Sequence, residues 1–176
     1  MMIIEGMKRL RTIEKQMGGN IQDIQRYASL VSTEVPAFGT HDDQKSRVMG
    51  FVQSNTDLMK EYLKLKMQLE WTNLSTKVEF SGELWTISEL LVIRRKLAQT
   101  MMQTYNALND NAGTQRLRQA PQGPDGSMPQ ILRMYKEDDK LDGLRRWQDL
   151  YHAIDGRLEV INATTPMCEL PCANME

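Results

Sequence analysis

The side chains best suited to chemistry in this chain are few and scattered. Cys168 and Cys172 stand in the last stretch, TTPMCELPCANME, at a C-x3-C spacing. This is not the C-x-x-C spacing of dithiol redox sites. With no histidine nearby, two thiols cannot complete a four-ligand zinc site within one chain. Two readings stay open: reduced surface thiols, or an inter-subunit disulfide through Cys168 and Cys172 once the protein leaves a reducing cytosol. His41 and His152 are the only histidines. Nucleophilic catalysis needs a nucleophile, a base and a group that orients them, and neither histidine has such partners at a recognisable spacing. A small hydrolase using His152 is a third-ranked reading. Glu137, Asp138, Asp139 and Asp142 form an acidic cluster. Hard cations take carboxylates, but acids at a helix N-terminus also complement its dipole, and the second account suffices. There is no Asp-x-Asp-x-Asp-Gly loop, Glu-x-x-His pair or Gly-rich phosphate motif. No enzyme activity, cofactor or metal is expected.

Charge narrows the partners. Lys and Arg number 22 against 23 Asp and Glu, a formal net charge of -1. Nucleic-acid binding draws on a basic face, so no nucleic-acid partner is expected. The contiguous Arg94, Arg95 and Lys96, and Arg145 with Arg146, read as solvated helix faces. No apolar run approaches the roughly 20 residues of a membrane span. The start, MMIIEGMKRLR, has too short an apolar core for a secretion signal. The expected location is cytoplasmic as synthesised, with a virion as a further destination.

These residues must be positioned by helices. Of the 176 residues, 40% are hydrophobic, 26% charged and only 6% aromatic. That mix suits helices with narrow apolar stripes and wide wet faces. The size suits one domain with a tail. Apolar residues recur at alternating spacings of three and four, a coiled-coil-like seam that needs a partner helix to cover it. The clearest seam is Leu144, Trp147, Tyr151, Ile154, Leu158, Ile161. A second is Val48, Phe51, Asn55, Leu58, Tyr62, Leu65, Leu69. A third is Ile3, Met7, Leu10, Glu14, Met17, Ile21, Ile24, Ala28, Val31. Glu14, Asn55 and Arg94 are polar residues inside otherwise apolar seams. A buried polar residue in a seam sets register or oligomer state at a cost in stability. The expectation is that Glu14 pairs with Arg94 and Asn55 sets helix alignment; the alternative is that each sits at a seam edge in water. Most of the 13 methionines fall on helices, as gap-fillers or as an adaptable binding face.

Helix 1 is expected from about Ile3 to Ser32, closed by Val35-Pro36-Ala37-Phe38-Gly39. Helix 2 begins near Thr40 to Asp43, with Thr40 as cap, and runs to about Trp71, forming a hairpin with helix 1. Val78 and Phe80 alternate with polar residues before Ser81-Gly82, the pattern of a small β-hairpin near 77–85. Thr86-Ile87-Ser88-Glu89 is a capping box opening helix 3, which runs to about Asn109. Residues 110–130 hold NDNAGTQ and APQGPDGSMPQ and read as a long flexible loop. Helix 4 runs from about Glu137 to Asn162.

Several short motifs together resemble the septicolysin-like helical proteins of bacteria and phages. They are Thr72-Asn73-Leu74, Gly82-Glu83-Leu84, the Arg94-Arg95 pair, and the closing Ile154-Asp155-Gly156-Arg157-Leu158-Glu159-Val160-Ile161-Asn162-Ala163-Thr164-Thr165. Glu159 stands where that family carries Gln, and Ala163 where it carries Trp. The resemblance covers roughly residues 1–166 and implies an all-helical fold. The family's name implies a cytolysin, yet this chain has no apolar hairpin suited to entering a bilayer.

The expected fold is all-α: an antiparallel bundle of four long helices, built as two helical hairpins, with a small β-hairpin near 77–85. The bundle domain covers 1–165 and a cysteine-containing tail covers 166–176. The expected function is a non-catalytic structural or interaction protein that assembles through helix faces, as a homo-oligomer or with virion neighbours in a bacteriophage head, neck or tail. The alternative from a different class is a septicolysin-like cytolysin or toxin.

Overall fold

The structure is a computed structural model that describes residues 1–123 and 125–170; Cys172 lies outside them. The chain is mostly helical: α1 (Ile3–Tyr27), α2 (His41–Ser75), β1 (Lys77–Phe80), β2 (Glu83–Thr86), α3 (Ile87–Val92), a π-helical turn (Ile93–Leu97), α4 (Ala98–Asn106), α5 (Asn111–Leu117) and α6 (Glu137–Thr164). The two strands form one antiparallel sheet. Among the described residues no helix is long and apolar enough to cross a membrane. The chain divides into two units, Met1–Ile87 with Val160 onward, and Ser88–Glu159.

In the first unit α1 and α2 form the expected antiparallel hairpin. Arg9 meets Glu61 at 2.7 Å, Glu14 meets Tyr62 at 2.9 Å, and Asn20 meets Asn55 at 2.8 Å. Every residue of the α2 seam from Val48 to Leu69 is buried or half-buried, as its spacing requires. The α1 seam runs in a different phase from the one expected. Ile3, Gly6, Leu10 and Ile13 are buried and Met17, Asn20, Ile24 and Tyr27 continue that line half-buried, while Met7 of the expected seam is half-buried as well. The two phases share Ile3, Leu10, Met17 and Ile24 and diverge between them, so Ile13 is fully buried where Glu14 was expected, and Ile21 is exposed.

α1 ends at Tyr27, five residues before the expected stop, because the connection to α2 is built around Gln44. This buried side chain donates from Nε2 to the Tyr27 carbonyl at 2.9 Å and accepts at Oε1 from the Ala37 N–H at 2.9 Å. Phe38 packs edge-on to Tyr27, ring centroids 4.8 Å apart. α2 opens as expected on Thr40, whose hydroxyl accepts from the Asp43 N–H while Asp43 accepts from the Thr40 N–H and hydroxyl. Those hydrogen bonds, the hydroxyl first, hold the Asp43 carboxyl below its ordinary pKa. The helix extends to Ser75, past the expected Trp71, since Thr72 and Asn73 still bury there.

The β-hairpin turns on Ser81 and Gly82, both at positive φ, which is the two-residue turn whose twist suits paired strands. The chain start and the segment after α6 also meet. Met2 bridges Pro166, the Ile3 N–H donates to the Thr165 carbonyl at 3.0 Å, and the Met167 N–H to the Met1 carbonyl at 2.9 Å. Met167 packs on Gly6, where any side chain would collide with its sulfur.

In the second unit, helix 3 of the expectation is split by the π turn: the Ala98 N–H reaches back to the Ile93 carbonyl, five residues away. Leu90, Ala98 and Ile154 are fully buried. The expected loop at 110–130 contains a short helix, α5. Thr114 donates from both its N–H and its hydroxyl to the Asp110 carbonyl, and Gly113 lies against Ile131. The turn-forming residues thus flank a helical turn instead of filling the whole segment.

Candidate functional site

The described residues singled out for chemistry each have their own local setting. His41 lies at the tip of the α1–α2 hairpin, lining an open cavity of about 310 Å³ with Tyr27, Leu30, Gln44, Lys45 and Val48. His152 is exposed on α6, edge-on to Tyr151 at 5.5 Å. Glu137, Asp138 and Asp139 occupy the first turn of α6, where the helix dipole favours them, and Glu137 pairs with Lys140 at 3.1 Å. Among the described residues no group of three or more His, Cys, Asp or Glu could hold a metal ion.

Cys168 is half-buried and free. Its backbone N–H donates to the Thr72 hydroxyl at 2.8 Å, and the Ser75 hydroxyl approaches its sulfur at 3.9 Å. The thiol is therefore held against the end of α2. The other expected cross-linking residue, Cys172, lies outside the described residues.

The seam polar residues have local partners, and Glu14 and Arg94 each pair within their own unit. Glu14 is exposed at the edge of the hairpin and accepts from the Tyr62 hydroxyl. That bond, with partial burial behind it, raises the Tyr62 pKa above its ordinary value. Arg94 sits in the π turn and pairs with Asp155 at 2.6 Å, its guanidinium 5.9 Å from the centre of the Tyr151 ring. The physical reason is phase. Glu14 falls one position off the covered face of α1, and Arg94 lies on the turn that meets α6 at Asp155. Asn55 is half-buried between α1 and α2: it accepts from Asn20 Nδ2 at 2.8 Å and donates to the Met17 carbonyl at 3.4 Å. Asn20 also donates to the Ser54 hydroxyl at 3.1 Å.

Three features escaped the sequence reading. Gln44 occupies the α2 seam phase one turn before Val48, and that phase alone marks it for burial. Asp110 gathers Arg133 and Tyr135, accepting from Arg133 Nε at 2.8 Å and from the Tyr135 hydroxyl at 3.2 Å. The Arg133 hydrogen bond is the main reason its carboxyl pKa is lowered. No local pattern announces a contact between positions so far apart in the chain.

The third is the outward face of α2. Met49, Val52, Met59, Leu63, Met67, Trp71 and Leu74 are all exposed, from 40% at Trp71 to 62% at Leu63. At 3.6 residues per turn they fall within a sector of roughly 120° beside the covered face, a sector they share with the exposed Gln53, Lys60 and Glu70. α2 thus carries exposed apolar residues on a second, mixed face beside the covered one.

No protein-family model, curated protein or solved structure matches the chain.

Proposed function

We propose that this is a non-catalytic structural or interaction protein that assembles through its helix faces. The observation that carries the reading is the outer stripe of α2. Monomeric proteins rarely expose a contiguous apolar patch beyond roughly 300–600 Å², and large exposed patches mark interaction sites. The closure of all four long helices into one antiparallel bundle belongs to this proposal. So does its most specific form, a bacteriophage head, neck or tail component, which leans on the septicolysin-like resemblance.

The test is native mass spectrometry of the reduced protein, with peptide mapping of particles from the producing cell. Multimers that persist in reductant support helix-face assembly, and recovery of this chain in purified particles supports the virion form. A monomer at every concentration contradicts the reading. Release of dye from liposomes, or a hydrolytic activity lost in His152→Ala, replaces it with the cytolysin or the enzyme.

A further inference from the structure

The outer stripe of α2 carries information about what covers it. Its seven exposed apolar residues present, by their exposed fractions, on the order of 700 Å² in each copy, close to the roughly 800 Å² that each partner contributes to a standard stable interface. The spacing along the stripe is nearly the same read in either direction. Turned end for end, Met49 falls opposite Leu74, Val52 opposite Trp71 and the half-buried Thr56 opposite Met67, while at the centre Met59 falls opposite Lys64 and Leu63 opposite Lys60. Small thus faces large at two of the three outer pairs, as interdigitating side chains require.

Resting on the assembly reading above, we infer that this face of α2 seats a second copy of the chain, with the two α2 helices antiparallel about a two-fold axis. Such an interface is self-complementary by symmetry. The antiparallel arrangement brings Asp57, on the flank of the stripe, within about one helical turn of the second copy's Lys64. The stripe is straight over its length, following 3.6 residues per turn without the heptad drift that imposes supercoiling.

Two measurements on the full chain test this. Sedimentation equilibrium in reductant reads the dimer dissociation constant of the parent and of Leu63→Glu, with far-UV circular dichroism confirming that the variant keeps its helicity. The expected result is a parent dimer, and a dissociation constant raised about a hundredfold or more in the variant, where a buried leucine is lost from both copies. The second measurement reads orientation and does not depend on that variant folding. In a Cys168→Ser, Cys172→Ser background, V52C chains are mixed with W71C chains under mild oxidation. A cross-link that needs both chains supports the antiparallel pair, and V52C chains linking to one another overturn it. An oligomer that Leu63→Glu leaves intact overturns this inference but leaves helix-face assembly standing. A monomer throughout overturns both.

Discussion

Two leucines on α2, six residues apart, separate the covered face from the open one. Leu69 is 7% exposed and Leu63 is 62% exposed, so the same substitution should be costly at one and nearly neutral at the other. Leu69→Ala removes three carbons from a packed site. At about 0.8 kcal/mol per buried carbon the transfer loss is about 2.4 kcal/mol. An incompletely closed cavity brings the total to about 3–4 kcal/mol. For a chain of this size that corresponds to a fall in Tm of roughly 6–16 °C. Leu63→Ala removes atoms that water already reaches, and alanine is the better helix former. Its effect on the dilute protein should stay within about 0.5 kcal/mol. Urea unfolding followed at the helical circular dichroism band, at low chain concentration, reads both. Equal losses at the two positions, or a larger loss at Leu63, would refute the assignment of faces. Raising the chain concentration adds a second reading: parent stability should rise with concentration, and that gain should vanish in Leu63→Ala.

Other consequences follow from single contacts. A side chain at Gly143 would run into the Tyr105 ring, so Gly143→Ala should cost about 1–3 kcal/mol, and much less in a Tyr105→Ala background; a double-mutant cycle by denaturation measures the coupling. The Asp110 carboxyl has its pKa lowered, chiefly by Arg133, so its contribution to stability is present above the unfolded carboxylate pKa of about 3.9 and lost as pH falls through the lower folded value. Arg133→Met should therefore lower the urea midpoint at neutral pH, and the gap should close toward acid; a gap that is flat with pH would be at odds with this assignment. Thr72 is fully buried and receives the Cys168 N–H, so Thr72→Val leaves that donor without its acceptor and should cost about 1–3 kcal/mol. In the same variant, with Cys172→Ser, the Cys168 thiol should react faster with a thiol-specific reagent.

Local patterns reached most of the helices and the β-hairpin, because each rests on neighbours in sequence: seam spacing for α2 and α6, the Thr40 cap, the Ser81-Gly82 turn. They failed where the outcome depended on which of two adjacent phases meets a partner. In α1 both Ile13 and Glu14 continue a three-four spacing from Leu10, and only packing against α2 selects Ile13. The outer stripe of α2 was hidden by its own abundance, since apolar residues on two faces blur the contrast that marks one. The π turn at Ile93–Leu97 and the short helix α5 have no spacing signature. Arg94's choice of Asp155 likewise follows from how the turn meets α6. Of the candidate site residues, Asn55 is legible as a polar residue in a seam, and its partner Asn20 is not, because Ile21 continues the three-four spacing from Met17 equally well.

The central claim is that this chain works by assembling through helix faces, and the mass of the reduced, full-length protein in solution tests it most directly. Sedimentation equilibrium from micromolar to millimolar chain should show the 20.3 kDa protein passing from monomer to dimer or larger species, with reductant making no difference. A single monomeric mass across that whole range would contradict the account.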